Sequence, residues 1–202
     1  MTLIEQVRKD LTLSEKKTRH TEGVVKAALL LAERHFPSLP KEQVELAALL
    51  HDFTKEYPEE RHLRVFERYG VIPDEETLAS PKLFHAQTAA LIAKRVYKAP
   101  EEVCTAVRFH TTGRPEMTPL EIIVYLADYI EENRTYPGCV RLRQYYETQY
   151  KTLKNKELAL QKTLIRSFDS TIRDLLRDRE PIGQTTVDAR NYYLTAKGLT
   201  HR

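Results

Sequence analysis

The stretch ELAALLHDFTKEY, residues 45–57, places the tightest constraint on how this chain can fold. Leu46, Ala47, Ala48, Leu49 and Leu50 read as a buried helix, yet the run ends in His51 and Asp52, with Lys55 one turn on. A carboxylate taken out of water must be paired, hydrogen-bonded or bound to a metal. The same problem recurs along the chain. Val103, Ala106, Val107 and His110 share one helical face at i, i+3, i+4 and i+7. Asp128 lies one turn beyond Val124, and His20 and His85 also sit in apolar-periodic segments. Any one such histidine alone would be an ordinary core residue with a hydrogen-bond partner. Four of them, with Asp52 and Asp128, are satisfied together by a common metal centre, because neutral imidazole and carboxylate are its natural ligands.

A nitrogen and oxygen donor set without thiolate argues against a structural zinc knot. It suits Fe, Mn, Co, Zn or Mg in an open, catalytic site. His20 and His51 are 31 residues apart, and Asp52 and Asp128 are 76 apart. The helices must therefore converge as a bundle with ligands projecting inward. His51 and Asp52 are adjacent and cannot share one helical face, so a helix end with a distorted last turn is expected there, before Pro58.

The rest of the chain reads as helix after helix, an all-α protein. Only 6 Gly are present, and most of the 10 Pro stand where a helix begins or a loop turns. Pro58 opens a helix that stops at Gly70, and Pro100 opens one that ends by Gly113. Thr118, Pro119 and Glu121 form a capping box. A helix runs from a Ser14 cap to about His35; two more cover about 140–154 and 157–179, and a short one follows the break at residues 181–184. The expectation is a single domain over 1–202, with a core of about 14–135, C-terminal helices of about 140–179 packing on it, and a tail of 180–202. Tyr145, Tyr146 and Tyr150 form a helix stripe for the core or for a homodimer contact. His35, His62 and His201 are expected at the surface.

Lys plus Arg number 32 and Asp plus Glu 29, a net +3 too mild to argue for nucleic acid or a membrane surface. Cys104 and Cys139 form no CxxC pair, which points to a reducing cytoplasm. No stretch approaches a transmembrane length.

RHTEGVV, AALLHDFTK, LFHAQTAALIA, RFHTTG and IVYLADYIEENR occur in this order. The set resembles the HD-domain metallophosphohydrolases, whose pattern is a His, an adjacent His-Asp pair and a distant Asp. His20, His51, Asp52 and Asp128 match it; His85 and His110 match a subset of that superfamily. HDFTKE, FHTTGRPEMTPLE and ADYIEENRTYPG are similar to the YqeK-type group, the symmetrical bis(5'-nucleosyl)-tetraphosphatases, and the resemblance covers roughly residues 14–140. It implies an HD-domain helical bundle with an inward-facing metal site, iron as the bound metal, and cleavage of diadenosine tetraphosphate into two ADP.

On that resemblance His20, His51, Asp52 and Asp128 are the metal ligands. His85 and His110 either complete a second metal with Asp52 bridging or contact substrate phosphates beside one metal; the resemblance favours the second. Asp128 or Asp52 orients the attacking water or takes its proton. Lys55 stabilises phosphate charge or is a solvated surface lysine. Arg134 clamps a phosphate or pairs with Glu131. Thr111 and Thr112 are hydrogen-bond donors at a helix end, and Arg114 is a further candidate. Gly23, which costs about 1 kcal/mol against Ala inside a helix, is expected to serve helix packing. Two other readings stay open: an HD phosphohydrolase of another nucleotide or phosphate ester, and a non-catalytic metal- and nucleotide-binding sensor.

Overall fold

Local capping chemistry sets the helix boundaries. The computed structural model describes residues 1–195, and among these the elements are eleven α-helices and one short 3-10 turn, with no strand. Helix α1 (Leu3–Asp10) opens on a capping box of Thr2 and Glu5. Helix α2 (Glu15–His35) follows Ser14, whose backbone N–H and hydroxyl both donate to Glu56 at 2.6 Å instead of capping α2 through the side chain. Helix α3 (Lys41–Leu50) ends at His51, as the adjacent His-Asp pair requires. Helix α4 (Glu59–Arg68) and α5 (Glu75–Ala79) lead through a 3-10 turn (Pro81–Leu83) into α6 (Phe84–Arg95) and α7 (Glu101–Phe109). Pro58 and Pro100 sit at the N-caps of α4 and α7, one position before the first helical residue. Gly70 and Gly113 close those segments at φ of +64° and +62°, a region where a side chain is strained.

Helix α8 (Pro119–Ile130) carries the capping box of Thr118 and Glu121 with Pro119 in its first turn. Helices α9 (Pro137–Thr152), α10 (Lys156–Asp178) and α11 (Gln184–Thr195) complete the described chain. Helix α2 packs along α3 and α8, and α7 lies against α3, α6 and α8. Val24, Ala28, Val44, Ala47, Leu50, Ala106, Val107, Val124 and Ala127 are wholly excluded from water on the facing sides. Small residues at these contacts let the helices approach closely, which brings their polar ends together. Helices α9 and α10 pack on α8, and Phe168 of α10 stacks on Tyr125 at 4.9 Å between ring centres. Gly113 makes that possible, since a Cβ there would stand 2.7 Å from the Phe168 ring. Tyr193 of α11 accepts a hydrogen bond from the Met117 N–H at 2.9 Å. Tyr146 is core, bonded to His35 at 2.9 Å.

Two surface expectations are corrected. His62 is buried, and its Nδ1 lies 2.8 Å from the Thr88 hydroxyl, which in turn lies 2.9 Å from that of Thr54. Charged neighbours in sequence hid this, because α4 turns one narrow face to α6. His35 is half-buried against Tyr146 and Tyr150. His201 lies outside the described residues.

Glu121 is the most demanding cap. Its carboxylate is 1 % exposed and accepts from Arg114 at 2.6 and 2.8 Å and from the Thr118 N–H at 2.7 Å. Arg114 is thereby committed to structure and withdrawn from the phosphate candidates. Glu121→Ala should lower stability by roughly 3 kcal/mol, as for breaking a buried ion pair, against about 1 kcal/mol for Thr118→Ala; urea unfolding of both variants checks the ranking.

Burial, with help from Arg34 and Lys156, lowers the His35 pKa to about 4. The unfolded chain therefore binds this proton more readily than the folded one. His35 contributes its full stability above about pH 6.5 and loses it as pH falls toward 4. The urea midpoint should drop less between pH 7.5 and 4.5 in His35→Gln than in the unaltered protein.

Candidate metal centre

The site forms where the ends of α3, α6 and α7 meet the interiors of α2 and α8. After Leu50 the backbone tightens: Phe53, Lys55 and Tyr57 donate to the carbonyls of Leu50, Asp52 and Thr54, three residues back, at 3.1, 2.9 and 3.0 Å. This series of three-residue turns lets His51 and Asp52, neighbours in sequence, both face inward. The Thr54 hydroxyl donates to the His85 carbonyl at 2.8 Å and ties this turn to α6.

Asp52 occupies the centre, with a side chain only 3 % exposed. Its Oδ2 stands 3.8 Å from His20 Nε2 and 3.7 Å from His51 Nε2. Asp128 Oδ1 lies 3.0 Å from His20 Nε2 and 3.7 Å from His51 Nε2. On the other side, Asp52 Oδ1 lies 3.2 Å from His85 Nε2 and 3.6 Å from both His110 Nε2 and Lys55 Nζ. Lys55 Nζ is 3.0 Å from His85 Nε2, so the ammonium can donate to that ring.

The hydrogen bonds of the other ring nitrogens define the tautomers. Nδ1 of His51, His85 and His110 lies 2.6, 2.7 and 2.7 Å from the carbonyls of Ala48, Lys82 and Val107. A carbonyl only accepts, so each Nδ1 carries the proton and each Nε2 presents a lone pair to the centre. His20 Nδ1 meets Glu131 Oε1 at 3.1 Å with the same result. Meanwhile His20 Nε2, His51 Nε2 and Asp52 Oδ1 are enclosed and make no hydrogen bond. Orphaned acceptors in a native core call for a missing partner. Atoms bound at ~2.1 Å to one ion stand roughly 3–4 Å apart, the spacing found here. The triads His20–His51–Asp52, His51–His110–Asp128 and Asp52–His85–His110 each have donor atoms within 4.8 Å of one another. The residues fit a divalent metal.

Electrostatics agree with that fit. Burial raises the Asp52 pKa, but His51, His110, His85 and Lys55 outweigh it and hold the carboxyl well below the usual range. Asp128 is likewise held low, with Arg134, His20 and His51 opposing its burial. Burial lowers His51 and His85 to about 4, keeping both imidazoles neutral. His20 runs the other way: Asp128 and Glu131 overcome its burial and raise it, so an ion bound there would have to displace its proton.

Arg134 pairs with Asp128, six residues back, and not with Glu131. The chain bends after α8, which returns the guanidinium to the inner carboxylate. Lys17, absent from the sequence-based candidates, stands 3.3 Å from Asp52 Oδ2; its place three residues before His20, on the same helical face, was the available signal. Glu131 likewise escaped as a site residue, though it lies one turn after Asp128. Gly23 does serve a close approach, to the Glu131 carboxylate. A cleft of about 580 Å³ opens from His20 and Arg134 and is lined by Lys16, Lys17, Arg19 and Tyr136. Thr111 and Thr112 line a different cleft, between α5 and the segment before α11. No described helix is long and apolar enough to cross a membrane.

The HD domain family model matches residues 18–133. Proteins described as symmetrical bis(5'-nucleosyl)-tetraphosphatase are 33 % identical in Bacillus subtilis, over 91 % of this chain and 92 % of the relative, and 36 % identical in Halalkalibacterium halodurans, over 90 % and 91 %. The crystal structure of a predicted HD superfamily hydrolase involved in NAD metabolism, from Clostridium acetobutylicum, superposes with a TM-score of 0.83 at 32 % identity, covering 96 % of this chain and 97 % of that one.

Asp52→Ala and His51→Ala should each purify without the divalent metal that the unaltered protein carries, while keeping their helical content. Elemental analysis beside circular dichroism checks this; full metal occupancy in either variant would refute the assignment of the centre.

Proposed function

This chain belongs to the HD domain family, and from that premise we propose that it is a metal-dependent hydrolase that cuts diadenosine tetraphosphate symmetrically into two ADP. One observation carries the reading: a single buried donor cluster, centred on Asp52, opens beside a cleft edged by cations of the sort that hold a polyphosphate. The names of relatives matched over about nine-tenths of the chain supply the nucleotide.

His20, His51, Asp52 and Asp128 would hold the metal. We assign iron, which the family resemblance implies and a mixed imidazole and carboxylate set accommodates; Mn, Co, Zn and Mg are the alternatives. When bound, the metal supplies Lewis-acid polarisation of a phosphoryl oxygen and activates water at neutral pH. Asp128 has the more open carboxylate of the pair, 17 % against 3 % exposed, and is placed to orient the attacking water and take its proton. Water adds to one of the two inner phosphorus atoms. The bond from that phosphorus to the central bridging oxygen breaks, and the oxygen leaves with the other ADP. Lys17 and Arg134 flank the equatorial oxygens where negative charge grows. Lys55 is placed to donate to the leaving phosphate. His85 and His110 contact substrate phosphates beside the one metal. Thr111, next to His110, remains a proposed hydrogen-bond donor to substrate, although it lines the cleft beside α5.

A second reading rests on the triad Asp52–His85–His110, whose donors are close enough to hold a further ion bridged by Asp52. Metal stoichiometry separates them, one ion per chain against two. We further propose a single HD domain over 1–202 and a cytoplasmic setting, in keeping with two free buried thiols. A homodimer belongs to the same proposal and is read by light scattering.

The deciding experiment is turnover of diadenosine tetraphosphate by protein loaded anaerobically with Fe(II), with products separated by chromatography. ADP alone, lost with chelator and restored by metal, is the expected result. ATP plus AMP would refute symmetrical cleavage. Metal retained without turnover of this substrate, of NAD or of other nucleotides would favour a sensor. Lys55→Met should lower kcat by 10²-fold or more with metal content unchanged.

A further inference from the structure

Three of the four site histidines are oriented by main chain. His51 and His110 are the C-caps of α3 and α7, where the last carbonyls lack intrahelical partners. Their Nδ1–H groups take those carbonyls, and His85 takes the carbonyl of Lys82 in the 3-10 turn before α6. His20 does not use this device. It lies inside the 21-residue α2, away from the helix's last turn. Its Nδ1 is met by Glu131, the C-cap of α8, 111 residues away in sequence.

Glu131 is itself 1 % exposed and tightly held. Its Oε2 accepts the Asn133 N–H at 2.6 Å, and Asn133 Nδ2 donates to the Arg19 carbonyl at 3.0 Å, which closes the loop back onto α2. The carboxylate occupies space that only a glycine leaves: a Cβ on Gly23 would overlap Glu131 Oε2 and come within 2.7 Å of Asn133 Nδ2. A helix-weakening glycine one turn from a ligand histidine thus coincides with a buried carboxylate bonded to that histidine.

We propose that Glu131 is a positioning residue of the metal centre. It holds His20 in the Nδ1–H tautomer with Nε2 aimed at Asp52 and Asp128, and Gly23 is the gap that admits it. Such an outer carboxylate also makes the imidazole a stronger donor, and its loss weakens metal binding about 10–100-fold in comparable sites. The inference rests on the reading of His20 as a metal ligand.

The test uses full-length apo protein titrated with Mn(II) against a chromophoric chelator, comparing Glu131→Gln, Glu131→Ala and Gly23→Ala. Gly23→Ala keeps every acceptor and strengthens the helix, and the atoms it displaces are ends of side chains, so it tests placement in a folded protein. Glu131→Ala and Gly23→Ala should weaken Mn(II) binding about 10–100-fold. Glu131→Gln should recover part of the loss, because its amide oxygen still accepts from Nδ1–H. Nitrogen-15 NMR of the rings should report a hydrogen-bonded Nδ1–H at His20 in the unaltered protein and the loss of that bond in Glu131→Ala. Unchanged Mn(II) affinity in folded variants, a loss confined to the urea midpoint, or Gln binding no better than Ala would each overturn the proposal. Absence of Mn(II) binding in the unaltered protein would instead overturn the metal-centre reading beneath it.

Discussion

The burial of the Asp52 carboxylate is the interaction on which the rest of this molecule depends. A carboxylate 3 % exposed is costly in an apolar bundle unless positive charge and donors surround it. Its two oxygens divide the work. Oδ2 faces His20 and His51; Oδ1 faces His85, His110 and Lys55. The four histidines come from four different stretches of chain, so α2, α3, α6 and α7 must meet at one point, and Asp128 brings α8 to it. The wholly buried Ala and Val contacts between α2, α3, α7 and α8 are what allow the ends to come so close.

Helix termini supply most of the precision. The carbonyls that a helix leaves unpaired at its last turn become acceptors for imidazole Nδ1–H groups, and the ring then points its other nitrogen inward. His51 and His110 use this device at the ends of α3 and α7. The three-residue turns after Leu50 serve the same end by rotating Asp52 to the side where His51 already points. Pro58 then ends the turn and caps the next helix, α4, and Thr54 fixes the turn to α6.

Charge is layered outward from the centre. Carboxylates lie innermost, imidazoles around them, Lys55 on the His85 side, and Lys17 and Arg134 at the edge of the cleft. Inner anions hold a cation, while outer cations attract a polyanion into a site with low-dielectric walls. Arg134 joins the two layers: it pairs with Asp128 and lines the cleft. Farther out the interactions are structural. Arg114 is taken by Glu121, and Arg34 lies over Tyr150 at 4.5 Å.

Much of this was legible in the order of residues. Apolar runs ending in histidine or aspartate can be satisfied only if their ends converge, which follows from the cost of a buried charge and needs no coordinates. Capping boxes, prolines and glycines marked helix limits because their backbone preferences are local. The motifs around His20, His51, Asp52 and Asp128 identified the family. What lay beyond the sequence depends on where the chain bends and how its helices pack. The burial of His62 under α6, the withdrawal of Arg114 to Glu121, the pairing of Arg134 with Asp128 and the bond from Glu131 to His20 are set by how helices pack. A charged side chain reads alike in sequence whether it faces water or a buried partner. Only the tertiary structure decides which, because the partner is set by packing: that of Glu131 comes from a segment 111 residues away.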